Sequence, residues 1–398
     1  MGRMIVRVSF LALALVAGAE WYTAANSQID FWDGQRKGAN FFNKIPAVER
    51  FEAARDLGLQ FIRLVPDKWK STGRDFLLGS ADHFVGLEEA DYQKLKAALD
   101  EAHLYGCKVI LGMLSLPGAR WKQNNNDRDD GRLWHSEEFQ EQARCFWREL
   151  ALRLKDHPAV IAYDPLNEPH PARGEEGIDG ADHPKFESWL AKNRGGLADL
   201  DGFYDGIVKS IRAVDPSTPI LVEGYGHGSA SGLAYLTPID DPGILYSFHY
   251  YEPWNYTAKR ANKGKYSYPD RMPAYWNGPG EKWTIENLKE RMAPVEEWAN
   301  KHSIPKSRIV AAEFGCGREV SGAQEYLTDV LALLNERGYH WAFYSFREDV
   351  WNGMDYELGT EPLKWNEGYS EKIDQGIYAP KPWHDNSLFQ VIKKEFVH

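Results

Sequence analysis

Short apolar runs alternate along the chain with longer stretches in which apolar residues recur every three or four positions. Each run of the first kind predicts a β-strand, and each stretch of the second kind predicts an amphipathic helix. The predicted strands cover residues 36–42, 59–64, 108–114, 160–163, 219–223, 243–249, 308–313 and 341–346. The predicted helices cover residues 46–57, 88–105, 139–154, 200–214, 229–236, 284–302, 324–336 and 387–396. A helix therefore follows every predicted strand.

Eight strand-then-helix units predict the fold class. Strands that alternate with helices pair in parallel through right-handed crossovers, and eight units fit an α/β fold consisting of a single closed (β/α)8 TIM barrel. The alternative is an open doubly wound sheet. No glycine-rich phosphate loop follows the first strand, which counts against a nucleotide-binding version of that sheet. No linker or internal repeat marks a second domain, so we expect one domain over residues 27–398.

Residues 1–19 have the three parts of a secretory signal peptide. Arg3 and Arg7 accompany the start of an apolar run, and Ala17-Gly18-Ala19 supplies the small residues of a cleavage site. The apolar run is too short to span a membrane as a helix. We therefore expect cleavage near Ala19 and a secreted or periplasmic protein. The alternative is that this run forms a buried N-terminal strand.

Composition limits the partners of the protein. The 398 residues carry a formal net charge of −11 without dense blocks of Lys or Arg, which argues against a nucleic-acid or anionic-membrane partner. Fifteen Trp and twenty Tyr are more than a core needs. Their flat rings suit stacking on sugars, although aromatic residues also fill cores. Cys107, Cys145 and Cys316 allow at most one disulfide. A monomer is expected.

Polar side chains collect where the predicted strands end. The fourth strand runs into Asn167-Glu168-Pro169, and the seventh ends at Glu313. In a barrel of parallel strands these ends share one mouth, where catalytic side chains gather. Two glutamates at that mouth match the need of glycoside hydrolysis for one protonated acid and one ionised nucleophile or base. The other strand ends supply Arg63, Glu223, His249 with Tyr251, and Tyr344 with Arg347.

Five motifs occur in order at these strand ends. They are Ile62-Arg63-Leu64, Leu166-Asn167-Glu168-Pro169-His170, Phe248-His249-Tyr250-Tyr251, Glu313-Phe314-Gly315 and Trp341-Ala342-Phe343-Tyr344. From about Gly38 to Arg347 the chain thereby resembles glycoside hydrolase family 5, a family of cellulase-like retaining β-glycanases. The resemblance implies that Glu168 is the acid/base and Glu313 the nucleophile. It also implies supporting roles, including contact with substrate, for Arg63, Asn167, His249 and Tyr251.

Charge interactions give those roles a physical basis. Arg63 beside Glu313 would keep the nucleophile ionised, and the negative charge of Glu313 would raise the pKa of Glu168. Once a sugar ester forms on Glu313 that charge is gone, so Glu168 can ionise and act as a base. Asn167 suits the sugar 2-hydroxyl, a contact that strengthens in the transition state.

Aromatic residues near the mouth and two departures from the family pattern bear on the preferred sugar. Trp134 and Trp254 lie in or near the loops that follow strands and are expected to contact the substrate. Family members often have a histidine in an L-D-L-H-x-x-P-G pattern after the third strand, where this chain has Leu114. Many members also end the eighth strand with a tryptophan under the reacting sugar. Tyr344 takes that position here and is expected to bind substrate.

The leading expectation is an endo-β-1,4-glucanase that acts on a β-linked polysaccharide or oligosaccharide. A β-mannanase or another β-glycosidase of the family is the first alternative, and a non-catalytic carbohydrate-binding barrel is the second. A metal-dependent hydrolase would have to use His83, His135, His170 and His249. No HxH or HExxH pair occurs, so neither a metal nor a cofactor is expected. The sequence leaves endo against exo attack open.

Overall fold

The structure is a computed structural model that describes residues 28–41, 48–66, 75–121, 125–126, 128–274, 278–349, 351–361 and 385–396. The predicted signal peptide, its cleavage point and residues 27 and 398, where the predicted domain begins and ends, lie outside these ranges. The expectations about export and about both domain boundaries therefore stay predictions.

Ten strands occur in the described part of the chain. In chain order they are β1 (Lys37–Phe41), β2 (Phe61–Leu64), β3 (Val109–Gly112), β4 (Val160–Asp164), β5 (Ile220–Glu223), β6 (Ile244–Tyr250), β7 (Asp270–Met272), β8 (Glu281–Trp283), β9 (Ile309–Phe314) and β10 (His340–Phe343). Eight parallel strands close into a barrel in the order β1-β2-β3-β4-β5-β6-β9-β10, and β10 pairs back to β1. The remaining two strands, β7 and β8, form an antiparallel hairpin. The prediction of a (β/α)8 TIM barrel is confirmed, because the pairing of β10 with β1 leaves no open edge.

Helices connect the strands, and all eight predicted helices have a counterpart. Within the described part of the chain, no helix is long and apolar enough to cross a membrane. The helices are α1 (Val48–Leu57), α2 (Glu89–Leu104), α3 (Glu137–Leu154), α4 (Phe186–Asn193), α5 (Leu200–Arg212), α6 (Ala230–Leu233), α7 (Trp254–Thr257), α8 (Lys259–Asn262), α9 (Ile285–Lys301), α10 (Ala323–Arg337) and α11 (Ser387–Lys393). Single 3-10 turns occur at Asp30–Trp32, Arg132–Trp134, Lys306–Arg308 and Tyr356–Leu358.

Helix α5 illustrates how these helices form and pack. The side chain of Asp199 accepts a hydrogen bond from the backbone N–H of Asp201 and caps the helix N-terminus. Phe203, Ile207 and Ile211 recur at spacings of four residues and are buried. The helix is therefore amphipathic, and its apolar face joins the core between helices and barrel.

The interior of the barrel changes character from one end to the other. Near the N-terminal ends of the strands it is apolar, and Trp32 packs edge-on against Phe61 and His340 with ring centroids 5.4 and 5.0 Å away. Near the C-terminal ends it is polar. There the strand register pairs Asn40 with Arg63 and His249 with Glu313. The polar end lies where catalytic loops of such barrels are built.

The three cysteines do not cross-link the fold. Cys107 and Cys316 are buried, Cys145 is partly buried, and all three are free thiols. Burial raises the pKa of Cys107 to about 11, so its thiol stays protonated near neutral pH. The fold is held by its packed core rather than by a disulfide.

Candidate active site

Arg63 lies at the centre of the polar end of the barrel and is fully buried. Its guanidinium donates to five side chains from the ends of four strands: Asp164 Oδ2 (2.8 Å), Glu223 Oε1 (2.8 Å), Glu313 Oε1 (2.7 Å), Asn167 Oδ1 (2.7 Å) and Asn40 Oδ1 (3.2 Å). Burial alone would lower the pKa of Arg63, but the three carboxylates raise it above its usual range. A planar fork of donors suits this role better than a lysine would.

Glu313 near the end of β9 receives two strong hydrogen bonds. Arg63 Nη1 donates to its Oε1 at 2.7 Å, and the Tyr251 hydroxyl donates to its Oε2 at 2.7 Å. The side chain of Glu313 is only 4% exposed. These two bonds fix the orientation of the Glu313 carboxylate, and one of the donors is cationic.

Glu168 follows β4 in an unusual backbone conformation. Its φ of 52° lies in the left-handed region, which is uncommon for a residue other than glycine. The backbone N–H of Glu168 donates to Glu223 Oε2 at 2.8 Å, and its own Oε1 lies 3.1 Å from His249 Nδ1. Burial raises the pKa of the Glu168 carboxyl and Glu313 adds to that effect, although His249 opposes it.

The carboxylates of Glu168 and Glu313 lie close together beside His249. One oxygen of each glutamate and one ring nitrogen of His249 are all within 4.8 Å of one another. Among the described residues this is the one group of three or more His, Cys, Asp or Glu side chains compact enough to hold a metal ion. Of the four histidines considered for a metal site only His249 belongs to it, and His83 and His135 are exposed elsewhere.

His249 at the end of β6 connects the two halves of the site. Its Nδ1 faces Glu168, and its Nε2 lies 3.2 Å from Glu223 Oε1. Burial alone would lower the pKa of His249, but Glu223, Glu313 and Glu168 around the ring raise it well above its usual range. His249 is therefore cationic near neutral pH.

Two buried acids, Asp164 and Glu223, belong to the site although no role was predicted for them. Both are fully buried and both bind Arg63. Burial raises the pKa of Asp164 to about 7, against the opposing effect of Arg63. The register pairs Asp164 with Gly112, and a Cβ added at Gly112 would lie 3.1 Å from Asp164 Oδ2. The only sequence signal is an acid at the end of an apolar run.

A cleft of about 690 Å3 opens onto Glu168 and His249. Its aromatic wall consists of Tyr251, Trp254 and Trp351, with ring centroids 5.3 Å apart for Tyr251 and Trp351. Trp254 begins the short helix α7, and Trp351 lies in the loop after β10. The Arg260 guanidinium lies 5.3 Å from the Trp254 ring. The two tryptophans of the aromatic wall therefore stand on connecting segments, whereas Tyr251 and the acids stand at or just after strand ends.

The structure buries two of the predicted substrate contacts, Trp134 in the core and Tyr344 beside the active site, where the charges of Glu313 and Glu168 act on its hydroxyl. Trp134 is only 6% exposed and packs edge-on against Phe203 of α5, so it has no free face for a sugar. Tyr344 is 2% exposed and donates to Glu348 Oε2 at 2.8 Å. Its ring lies edge-on to Trp351, which lines the cleft in its place. Core packing accounts for Trp134, whereas a sugar contact of Tyr344 stays a prediction.

The other predicted site residues lie together at the C-terminal end of the barrel. Arg63, Asn167, Glu168, His249, Tyr251 and Glu313 form one connected network, and Trp254 lines the cleft beside them. Leu114, which stands where the family pattern often has histidine, is 2% exposed and belongs to the hydrophobic core.

Comparisons with known proteins agree with this geometry. The sequence model described as Cellulase (glycosyl hydrolase family 5) matches residues 25–349. Endoglucanase C of Acetivibrio thermocellus is 23% identical over 316 residues, which cover 73% of this chain and 81% of the relative. A Beta-xylosidase of Phanerodontia chrysosporium is 29% identical over 319 residues, covering 77% of this chain and 55% of that protein.

Solved structures share the fold. Cel5A of Thermotoga maritima, determined with cellobiose, superposes with a TM-score of 0.59 at 16% identity and covers 88% of this chain and 100% of that one. At such low identity the likeness supports the barrel alone. The family match extends over most of the chain and includes every strand-end residue of the network. The chain therefore belongs to the cellulase family, glycosyl hydrolase family 5, and is a glycoside hydrolase.

Proposed function

We propose that the protein is an endo-β-1,4-glucanase that retains anomeric configuration, with Glu168 as acid/base and Glu313 as nucleophile. The observation that carries the proposal is the close approach of these two carboxylates, which have oxygens within 4.8 Å of each other. Retaining enzymes have their carboxyl groups about 5–5.5 Å apart, whereas inverting enzymes need about 6.5–9.5 Å to admit water. The separation favours direct attack by Glu313.

In the first step, Glu313 attacks the anomeric carbon while the bond to the leaving oxygen breaks. Arg63 and Tyr251 hold the attacking carboxylate, and both of its oxygens accept a hydrogen bond. Glu168 transfers its proton to the leaving oxygen, because burial and the charge of Glu313 raise the pKa of its carboxyl. The products of this step are a sugar ester on Glu313 and the released leaving group.

In the second step, water attacks the same carbon and releases Glu313 as a carboxylate. The ester has removed the negative charge beside Glu168, so Glu168 now ionises and accepts the proton of the water. Cationic His249, 3.1 Å from Glu168 Oε1, stabilises that ionised form. One pair of carboxylates thus serves both steps.

Asn167 is suited to hold the sugar that reacts. Its Oδ1 accepts from Arg63 at 2.7 Å, which fixes the amide and leaves its NH2 group as the donor. A donor beside the two carboxylates can bind the sugar 2-hydroxyl, a contact that strengthens as positive charge develops on the ring.

The names of the relatives and the form of the cleft support a β-1,4-glucan as substrate. Endoglucanase C covers most of this chain. The aromatic wall offers flat surfaces beside Glu168, and the cleft volume of about 690 Å3 lies in the range of sites that enclose ligands larger than one sugar ring.

A panel of soluble polysaccharides tests this function. We expect carboxymethylcellulose and mixed-linkage β-glucan to be cut internally, with a fast fall in viscosity relative to reducing ends, and β-mannan and xylan to be cut poorly. Proton NMR of the first products should show the β-anomer. An α-anomer would reject the retaining mechanism, and faster cleavage of mannan or xylan would reject the substrate.

We further propose that the enzyme acts outside the cytoplasm as a monomer. Polymeric glucans do not enter cells, and the pattern of residues 1–19 is that of an export signal. Three large apolar side chains among the described residues are exposed (Val85, Leu104, Leu152), few for a stable homodimer interface. N-terminal sequencing of secreted protein should begin near Glu20, and sedimentation should give about one chain mass. A start at Met1 or a dimer mass would contradict this.

A further inference from the structure

Glu223, the last residue of β5, lies beneath both sides of the active site. It is fully buried, and its two oxygens accept two hydrogen bonds and face the His249 ring. Arg63 Nη2 lies 2.8 Å and His249 Nε2 lies 3.2 Å from Oε1, whereas the backbone N–H of Glu168 donates to Oε2 at 2.8 Å. The Glu223 carboxylate therefore contacts Arg63, which binds Glu313, and His249, which faces Glu168. It also contacts the main chain of Glu168.

The contact with the Glu168 main chain fixes an unfavourable conformation. Glu168 has a φ of 52°, which costs free energy for a residue with a side chain. The Glu168 N–H donates to Glu223 Oε2, and this hydrogen bond fixes the backbone position from which the Glu168 side chain projects. Without that acceptor, the Glu168 backbone would be free to relax and the carboxyl group would move away from the leaving oxygen.

The chain also keeps space for this carboxylate. Gly228 has a φ of 66°, and a Cβ added there would lie 2.8 Å from Glu223 Oε2 and 3.5 Å from the His249 ring. Any larger residue at position 228 would push against the oxygen that accepts from Glu168.

We propose that Glu223 is a positioning residue for the acid/base side of the reaction. It holds the Glu168 backbone and the His249 ring, and through them it directs the proton of Glu168 towards the leaving oxygen. This inference rests on the proposed role of Glu168 as acid/base. Glu223 itself is buried beneath these groups and acts through them.

Asp164 provides a matched comparison. It is also fully buried at a strand end, and its Oδ2 accepts from Arg63 Nε at 2.8 Å. Within the described residues, Asp164 makes no hydrogen bond or ion pair with Glu168 or His249. A role confined to holding Arg63 would therefore make Glu223 and Asp164 equivalent, whereas a role in positioning Glu168 would separate them.

The test compares Glu223→Gln with Asp164→Asn. Glutamine has only one side-chain oxygen. We expect this oxygen to face the Arg63 and His249 cations, so that the Glu168 N–H loses its acceptor. Asparagine at position 164 can still accept from Arg63. Both variants replace a buried carboxyl group by an amide of the same shape. The measurement is kcat/KM on a series of aryl β-cellobiosides whose leaving groups have increasing pKa. Cellotetraose, which has a sugar leaving group, is the unactivated substrate.

We expect Glu223→Gln to lose at least about 10-fold more activity on cellotetraose than on the dinitrophenyl glycoside. This loss is part of the rate acceleration of about 10²–10⁴-fold that a correctly placed general acid contributes. Asp164→Asn should lose the same factor on every substrate. Equal losses across the series in Glu223→Gln would overturn the inference.

Gly228→Ala provides the second variant, because it leaves every charge in place and displaces Glu223 Oε2. If circular dichroism shows that Glu223→Gln does not fold, the leaving-group dependence of Gly228→Ala decides. A slope equal to wild type would reject the inference, and a steeper slope would support it. Failure of the proposed function looks different, since Glu168→Ala would then show no leaving-group dependence.

Discussion

Two fully buried arginines, Arg63 and Arg318, show what distinguishes a reactive centre from a structural clamp. Arg318 binds Asp349 through two parallel hydrogen bonds of 2.9 and 3.0 Å and donates to the carbonyl oxygens of Gly359 and Glu361. Arg63 instead divides its donors among three carboxylates and two amides at the ends of four strands. Burial and ion pairing alone therefore do not mark function. Convergence of several acids from separate strands on one cation does.

We expect the largest loss of activity when Glu313, the carboxylate that accepts from Arg63 and Tyr251, is replaced. Glu313→Ala should lower kcat by about 10⁵-fold or more on every substrate, because no covalent ester can form. The measurement is hydrolysis of both dinitrophenyl β-cellobioside and cellotetraose. Activity near wild type would show that convergence on Arg63 does not identify the nucleophile.

Glu168→Ala should have a large effect that depends on the substrate. Unactivated glucans should react about 10²–10⁴-fold more slowly, since proton donation is lost, whereas the dinitrophenyl glycoside should still form the ester. Azide should then restore turnover and yield a β-glycosyl azide, detectable by mass spectrometry. If azide has no effect, Glu168 is not the base of the second step.

Exchanging each arginine for lysine tests the comparison directly. Arg63→Lys should lower kcat by about 10²–10³-fold, because a point charge cannot serve five acceptors around the nucleophile. Arg318→Lys should keep kcat/KM close to wild type but lower the free energy of unfolding by about 1–3 kcal/mol. Kinetics below the unfolding transition and thermal denaturation measure the two effects. A similar kinetic loss in both variants would break the distinction.

The smallest effect concerns two tryptophans. Trp351→Ala should raise KM for cello-oligosaccharides about 3- to 10-fold with little change in kcat, the size of an aromatic contact. Trp134→Ala should leave KM unchanged but destabilise the fold by about 3–5 kcal/mol, because Trp134 packs in the core against Phe203. An unchanged KM in Trp351→Ala would remove the aromatic wall from substrate binding.

The barrel could be predicted from sequence because each strand is a short apolar run covered on both faces and each long helix has an apolar stripe. Helix α4 is not predicted, since it is only eight residues long and lies within a polar loop. The β7–β8 hairpin is not predicted either. Its strands have three residues each and are largely exposed, so no alternation marks them.

The active site was predicted where a strand end coincides with a motif, as at Arg63, Glu168 and Glu313. Asp164 and Glu223 received no role, because their partners depend on strand register and on side-chain reach across the barrel. Trp134 was expected at the cleft for a similar reason. Sequence shows that an aromatic residue lies near a loop, but only packing shows whether its face meets solvent or another helix.

The placement of the acids at strand ends and of two cleft tryptophans on connecting segments has a consequence for engineering the enzyme. Glu168, Glu223 and Glu313 are tied to the barrel, whereas Trp254, Arg260 and Trp351 lie on segments that can be replaced without altering a strand. Asn255, Tyr256 and Thr257 between Trp254 and Arg260 are buried and should be kept. Libraries that randomise positions 254, 260 and 351 should therefore yield variants with new sugar preferences whose reaction chemistry is inherited unchanged.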